Sequence, residues 1–261
     1  MSYFALVTGA SQGIGKYIAI ALAKRSFHLL LVARSEDKLH QLKNELEAAY
    51  KIRVEYLSLD LSSVGSAQSL YNWCTQLSVP INILVNNAGF GLWGDFEQLA
   101  ITEQEKMIHL NITTLTAVTH ALLPILTRNP GAYILNISST AAYQAVPTLA
   151  VYAATKAYVL SFSRALRHEL QPKQVSVTCI CPGPTDTGFA DRAGMQVLAE
   201  LTAKYNMPVE TVAEYAVRAM FKKKSEVVPG LTNKIQRFGD WLFPKIVVEK
   251  IAAKLYKDKN H

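Results

Sequence analysis

Tyr152 and Lys156 stand four residues apart in the run Val151-Tyr-Ala-Ala-Thr-Lys-Ala157, and Ser139 precedes the tyrosine by thirteen residues. On a helix, positions i and i+4 share one face, so the lysine ammonium sits beside the phenol. A neighbouring positive charge favours the phenolate over the phenol, and a general acid works best when its pKa approaches the operating pH. The pair points to proton transfer near neutral pH. Alone it is weak, because an aromatic and a solvated lysine meet at this spacing on many helices.

Upstream, Tyr3 to Val7 is a short apolar run of strand formers, followed by Thr8-Gly-Ala-Ser-Gln-Gly-Ile-Gly15 and a helical stretch from Lys16 to Arg25. A strand, a glycine turn and a helix start make a phosphate cradle: glycines admit the anion close to the backbone, and the helix N-terminus offers free N–H groups. The spacing Gly9, Gly13, Gly15 is G-x-x-x-G-x-G, which differs from the G-x-G-x-x-G dinucleotide fingerprint.

Six motifs in order resemble the short-chain dehydrogenase/reductase family over roughly residues 3 to 230. They are the Thr8–Gly15 turn, Asp60, Asn86-Asn-Ala-Gly89, Asn111, Ser139 with Tyr152 and Lys156, and Pro182-Gly183 with Thr187. The resemblance implies NAD(P)-dependent hydride transfer to or from a carbonyl or alcohol. In it Tyr152 is the general acid, Ser139 shares the substrate oxygen, and Lys156 supports the phenol and holds the nicotinamide ribose. Asn111 takes part in a water-linked proton relay. Ser138 also follows a strand, but only Ser139 has the family spacing to the tyrosine.

The same resemblance implies cofactor contacts from Gly9, Ser11, Gln12, Gly13, Ile14 and Gly15 at the turn, and from Asp60 and Leu61 at the adenine. Asn87, Ala88 and Gly89 line the cleft, with Tyr152, Lys156, Pro182, Gly183, Thr185 and Thr187 nearer the nicotinamide. Arg34 ends the second strand where NAD-binding folds usually place a carboxylate, and its fork of donors suits a 2′-phosphate. NADP(H) is therefore expected over NAD(H). Gln12 departs from this pattern, since many NADP-preferring members carry a basic residue there.

These residues need a sheet edge to meet on. Strands are predicted at 3–7, 28–33, 53–59, 81–85, 131–137, 175–181 and 226–229, and helices at 14–26, 36–49, 66–78, 102–128, 151–171 and 209–223. Continuous apolar runs such as His28 to Ala33 imply a parallel sheet buried on both faces. Gly9, Arg34, Asp60, Asn86, Ser138 and Pro182 all follow strands, so one edge collects every motif. The expected architecture is a single α/β domain over residues 1–261, a Rossmann-type doubly wound sheet of about seven strands, with 231–261 a helical extension.

Composition sets bounds. At 261 residues, half of them hydrophobic, the chain can bury one large core. No transmembrane span is expected, because no run of about 18 apolar residues is evident. The Met1–Ala10 start reads as a strand and not a signal peptide. Cys74, Cys179 and Cys181 show no metal-ligand spacing, and a reducing, cytoplasmic setting is expected. The net charge of +7 suits an anionic cofactor, and no nucleic-acid module is evident.

The substrate side is expected from Trp93, Tyr143, Val146 and Phe189 with Ser139 and Tyr152, an apolar pocket for a hydrophobic ketone, aldehyde or 3-oxoacyl group. A homo-oligomer, dimer or tetramer, is expected through the long helices. A catalytically silent dinucleotide-binding regulator or scaffold is the competing reading, and the complete Asn111, Ser139, Tyr152 and Lys156 set argues against it. The segment Leu231 to His261 mixes aromatics with lysines, and three readings stand: a helix packed on its own domain, a lid or subunit contact, and a membrane-surface helix.

Overall fold

The computed structural model describes residues 3–129, 131–187 and 206–257. The apolar runs form parallel strands β1 (Phe4–Thr8), β2 (His28–Ala33), β3 (Val54–Ser58), β4 (Ile81–Asn86), β5 (Tyr133–Ile137), β6 (Ser176–Ile180) and β7 (Glu226–Val227). Their order is β3-β2-β1-β4-β5-β6-β7, and every pairing is parallel.

Alternation within each strand explains why both faces are covered. Ala5, Val7, Leu29 and Leu31 join one core with α1 (Gly13–Ala23), α2 (Glu36–Tyr50) and α7 (Val209–Phe221). Phe4, Leu6, Leu30 and Val32 join the other, with α3 (Ser66–Leu77), α5 (Leu115–Leu126) and α6 (Ala150–Leu170). Strand order reverses between β1 and β4, and the crevice outside their carboxyl ends is where such sheets bind ligands.

The helix expected over 102–128 is one continuous helix, Ile101–Leu126, with a π-helical turn inside it. It runs as α4 (Ile101–Ile108), a π-helical turn over His109–Thr114, and α5. The wider turn fits an extra residue into the helix. It sits where Asn111 is buried and bonded to Phe90 and Thr155. The combined stretch Ile101–Leu126 has the length and apolarity to cross a membrane, at mean hydropathy 1.2, which corrects the expectation that no such stretch exists. Here Val118, Leu122 and Leu126 pack under the sheet, and Thr114 and Thr119 bond to backbone carbonyls at 2.8 and 2.7 Å. One face of the stretch thus packs into the core, and a third of its apolar window is buried.

Two further elements follow β5 and β7. A 3₁₀ turn, Thr140–Tyr143, is capped by the Ser139 hydroxyl, which accepts from the Ala141 N–H at 3.1 Å. The C-terminal extension forms two helices, α8 (Leu231–Leu242) and α9 (Lys245–Lys257).

Candidate active site

Helix α6 carries both chemical residues because its buried stripe includes Tyr152, Lys156, Val159, Leu160 and Ser163. Lys156 is almost wholly buried, and its Nζ donates to the Ile137 carbonyl at the end of β5, 3.0 Å away. The same Nζ lies 5.7 Å from the centre of the Tyr152 ring. Burial pulls the Lys156 ammonium down to about 8, while the nearby Cys179 and Cys181 oppose that shift. The side chain is therefore mostly protonated at neutral pH.

The tandem serines divide as their spacing suggests. Ser138 is buried and donates to the Lys156 carbonyl at 2.7 Å, which ties β5 to α6. Ser139 lines the cleft with Tyr152, and its hydroxyl keeps its own proton to donate while accepting from Ala141.

Behind them, polar groups brace the sheet edge. Asn86 donates to Asn136 and Thr119, both at 2.9 Å, and Asn136 donates to Ser163 at 2.9 Å. Each such bond contributes about 0.5–1.5 kcal/mol, and leaving one buried partner bare costs more. Thr8 accepts from the Asn87 and Ala88 N–H groups at 3.0 and 3.1 Å and donates to Val85, joining the two strands at the reversal point. Asn111 accepts from the Phe90 N–H and donates to the Phe90 carbonyl and Thr155, so both of its amide atoms are engaged. A Cβ built on Gly89 would lie 2.8 Å from the Asn111 oxygen and 3.7 Å from Lys156 Nζ. Gly89 thus lets the β4 loop pass close beside both.

The cleft has a volume of about 700 Å³ and follows this edge. It is lined by Gly9, Ser11, Gln12, Gly13 and Ile14, by Arg34, Asp60 and Leu61, and by Asn87, Ala88 and Gly89. Ser139, Tyr152, Lys156, Pro182, Gly183, Thr185 and Thr187 complete the wall. Gly15 and Asn111 stand behind it. A Cβ on Gly15 would meet the Gly9 oxygen at 2.3 Å, so its role is to let α1 approach the turn.

A dinucleotide fits this wall. Gly9 and Gly13 hold positive φ of 66° and 55°, a region other residues avoid. The Gln12 side chain does not cap α1, so the first-turn N–H groups are left for another acceptor, and Gly13 and Ile14 of that turn line the cleft. Asp60 is fixed by the Ser62 N–H and hydroxyl at 2.9 and 2.7 Å, and Leu61 by Thr114 and Ser66. Glu36 begins α2 as expected, leaving Arg34 and Ser35 at the ribose end. Lys38, which the sequence reading passed over, reaches Gln12 Oε1 at 3.3 Å.

The substrate side differs more from expectation. Val146 lines the cleft, joined by Phe90, Leu92, Leu110 and Leu149. Trp93 does not line it but packs against that apolar cluster, with its indole N–H buried and without a partner among the described residues. Tyr143 is turned away from the cleft: its hydroxyl donates to Glu226 at 2.7 Å, and Arg237 lies 5.1 Å over its ring. Burial pushes the Tyr143 phenol up. A buried carboxylate and an arginine hold it in place of a substrate. Phe189 lies outside the described residues. Leu92 and Leu149 had no spacing signal, because loop residues line a pocket through the fold alone.

A profile of the short chain dehydrogenase family matches residues 3–198. Ketoacyl reductase HetN of Nostoc is 31% identical over 226 residues, covering 85% of this chain and 77% of that protein. Very-long-chain 3-oxoacyl-CoA reductase-A of Danio rerio is 36% identical over 183 residues, covering 69% of this chain and 57% of that protein. The matched stretch thus spans little more than half of that longer relative. Among solved structures, a short-chain dehydrogenase from Sphingobium yanoikuyae in complex with NADPH superposes with TM-score 0.82 at 29% identity, over 99% of this chain and 97% of that one.

Proposed function

This chain belongs to the short-chain dehydrogenase family, and from that premise we propose that it is an NADP(H)-dependent reductase of a hydrophobic ketone, aldehyde or 3-oxoacyl group. The observation that carries the reading is the placing of Ser139, Tyr152 and Lys156 on one wall of a cleft whose other end is a glycine cradle.

Ser139 and Tyr152 hold the substrate oxygen by hydrogen bonds, which strengthen as negative charge develops there. Tyr152 gives its phenolic proton to that oxygen. The nicotinamide, when bound, supplies or accepts the hydride. Lys156, held charged against the Ile137 carbonyl, stabilises the phenolate left on Tyr152. Asn111 acts through position: its amide clamps Phe90 beside α6, so any proton relay through it uses the backbone of its π-turn. Pro182, Gly183, Thr185 and Thr187 would hold the carboxamide side.

Arg34 and the Lys38–Gln12 pair support the preference for NADP(H), because they bring two cations to the end where a 2′-phosphate would sit. The NADPH bound by the Sphingobium structure and the acyl substrates named for the Nostoc and Danio relatives support the same reading. A homo-oligomer through the long helices is part of the same proposal.

The test is NADPH oxidation by the purified protein against a panel of ketones, aldehydes and 3-oxoacyl thioesters, with Tyr152→Phe in parallel. Turnover that needs Tyr152 establishes the reductase. Tight NADPH binding without turnover across the panel favours the silent regulator instead.

A further inference from the structure

Helix α8 is seated with its polar side inward and its apolar side outward. Asn233 is 7% exposed and donates to the Pro229 carbonyl at 2.8 Å, and Arg237 pairs with Glu226 at 2.6 Å. On the other side Leu231, Ile235, Phe238 and Leu242, at positions i, i+4, i+7 and i+11, are 55 to 75% exposed, and Trp241 beside them is 78% exposed. A helix packed on a soluble domain normally turns its apolar stripe the other way.

The stripe continues through Phe243 into Ile246, Val247 and Ile251 of α9. Nine of the fifteen exposed large apolar side chains among the described residues fall between 231 and 251, so this is one patch and not scatter. Around it stand the exposed Lys234, Lys245, Lys250 and Lys254, against the half-buried acids Asp240 and Glu249.

Charge decides what covers the patch. A second copy meeting it across a two-fold axis would set the same face against itself, lysines included. An anionic lipid surface satisfies both parts: Trp and Phe rings sit at headgroup level, and lysines meet phosphates. We propose that α8 and α9 dock this protein on an anionic bilayer surface. Gln236 of α8 lines the cleft and Asn233 lies against Gly183, so the docked helix is also a wall of the site. The proposal is independent of the reductase reading, and its failure leaves that reading standing.

The experiment is co-sedimentation of the full-length protein with phosphatidylcholine vesicles and with vesicles containing phosphatidylglycerol, with tryptophan emission recorded alongside. Expected is binding to the anionic vesicles, weaker binding to phosphatidylcholine alone, loss with added salt, and a blue shift that Trp241→Phe removes. Lys245→Gln and Lys250→Gln should each weaken binding about fivefold. The double variant Phe238→Ser, Trp241→Ser should abolish it while circular dichroism and melting show an intact fold. No binding to anionic vesicles, or binding unchanged in that double variant, overturns the proposal. So does a wild-type dimer that ignores vesicles and that the double variant splits into monomers, which assigns the face to a second copy.

Discussion

The Lys156 ammonium sits 5.7 Å from the centre of the Tyr152 ring, one turn further along α6, and donates to Ile137 at 3.0 Å. The carbonyl at the end of β5 therefore fixes a positive charge beside the phenol before any substrate arrives. Preorganised charge of this kind costs no rearrangement during reaction.

Removing the phenolic proton tests that arrangement most directly. Tyr152→Phe keeps the ring in its apolar cluster with Phe90, Val146 and Leu149. Turnover should fall by about 10²–10⁴-fold, the usual worth of a positioned acid. NADPH binding, read by fluorescence, should change little. Near-wild-type turnover in this variant would remove Tyr152 as the acid.

Lys156 makes activity and stability respond to pH in opposite directions. Its pKa falls from 10.5 to about 8 on burial. Catalysis that needs the cation should decline as pH rises through about 8. In the unfolded chain the lysine stays protonated up to its ordinary value, so between about 8 and 10.5 the unfolded state binds more protons. The burial penalty is thus fully present below about 8 and is relieved across that window, a change on the order of 3 kcal/mol. Urea denaturation of the cofactor-free protein at several pH values, beside Lys156→Met, measures it. An equal slope in both proteins would sink the assignment.

The residues that meet in the cleft were legible because spacing carries them: Tyr152 with Lys156, Ser139 before them, and glycines after a strand. The strands were legible because a sheet covered on both faces leaves continuous apolar runs, as at Leu29–Val32. The π-turn at Asn111 was not, since an apolar helix pattern does not show where a side chain must reach across to Phe90. Tyr143 misled for a related reason. Its neighbour Glu226 lies more than eighty residues away, and only the β6–β7 pairing brings the two together. Lys38 was missed because its bond to Gln12 depends on how α2 leans toward the glycine turn.

The two cations at the ribose end should contribute unequally to cofactor choice. Arg34 lines the cleft, and a charge-assisted bond to a phosphate amounts to about 1.5–3 kcal/mol. Arg34→Ala should therefore reduce the ratio of NADPH to NADH affinity by roughly ten- to a hundredfold. Lys38 is exposed and holds Gln12 at 3.3 Å, so Lys38→Ala should cost up to about fivefold. Equal affinities in wild type for the two cofactors, measured by titration, would contradict the preference itself.

Two glycine-to-alanine changes should move stability in opposite directions. At Gly15 a Cβ would stand 2.3 Å from the Gly9 carbonyl oxygen and 2.4 Å from Asn87 Nδ2, and the first of these is backbone that has no rotamer to adopt. Helix α1 would have to withdraw from the turn, at a cost of about 1–3 kcal/mol for overpacking. That withdrawal also moves the N–H groups aimed at the pyrophosphate, so cofactor affinity should fall together with the melting temperature. At Gly239, inside α8, nothing lies within 4 Å of the added carbon. There alanine gains helix propensity without a clash and should stabilise α8 by about 0.5–1 kcal/mol. Thermal melts of both variants, with and without NADPH, separate the effects. A Gly15→Ala protein that melts and binds like wild type would mean that the close approach of α1 to the β1 turn does not shape the cradle.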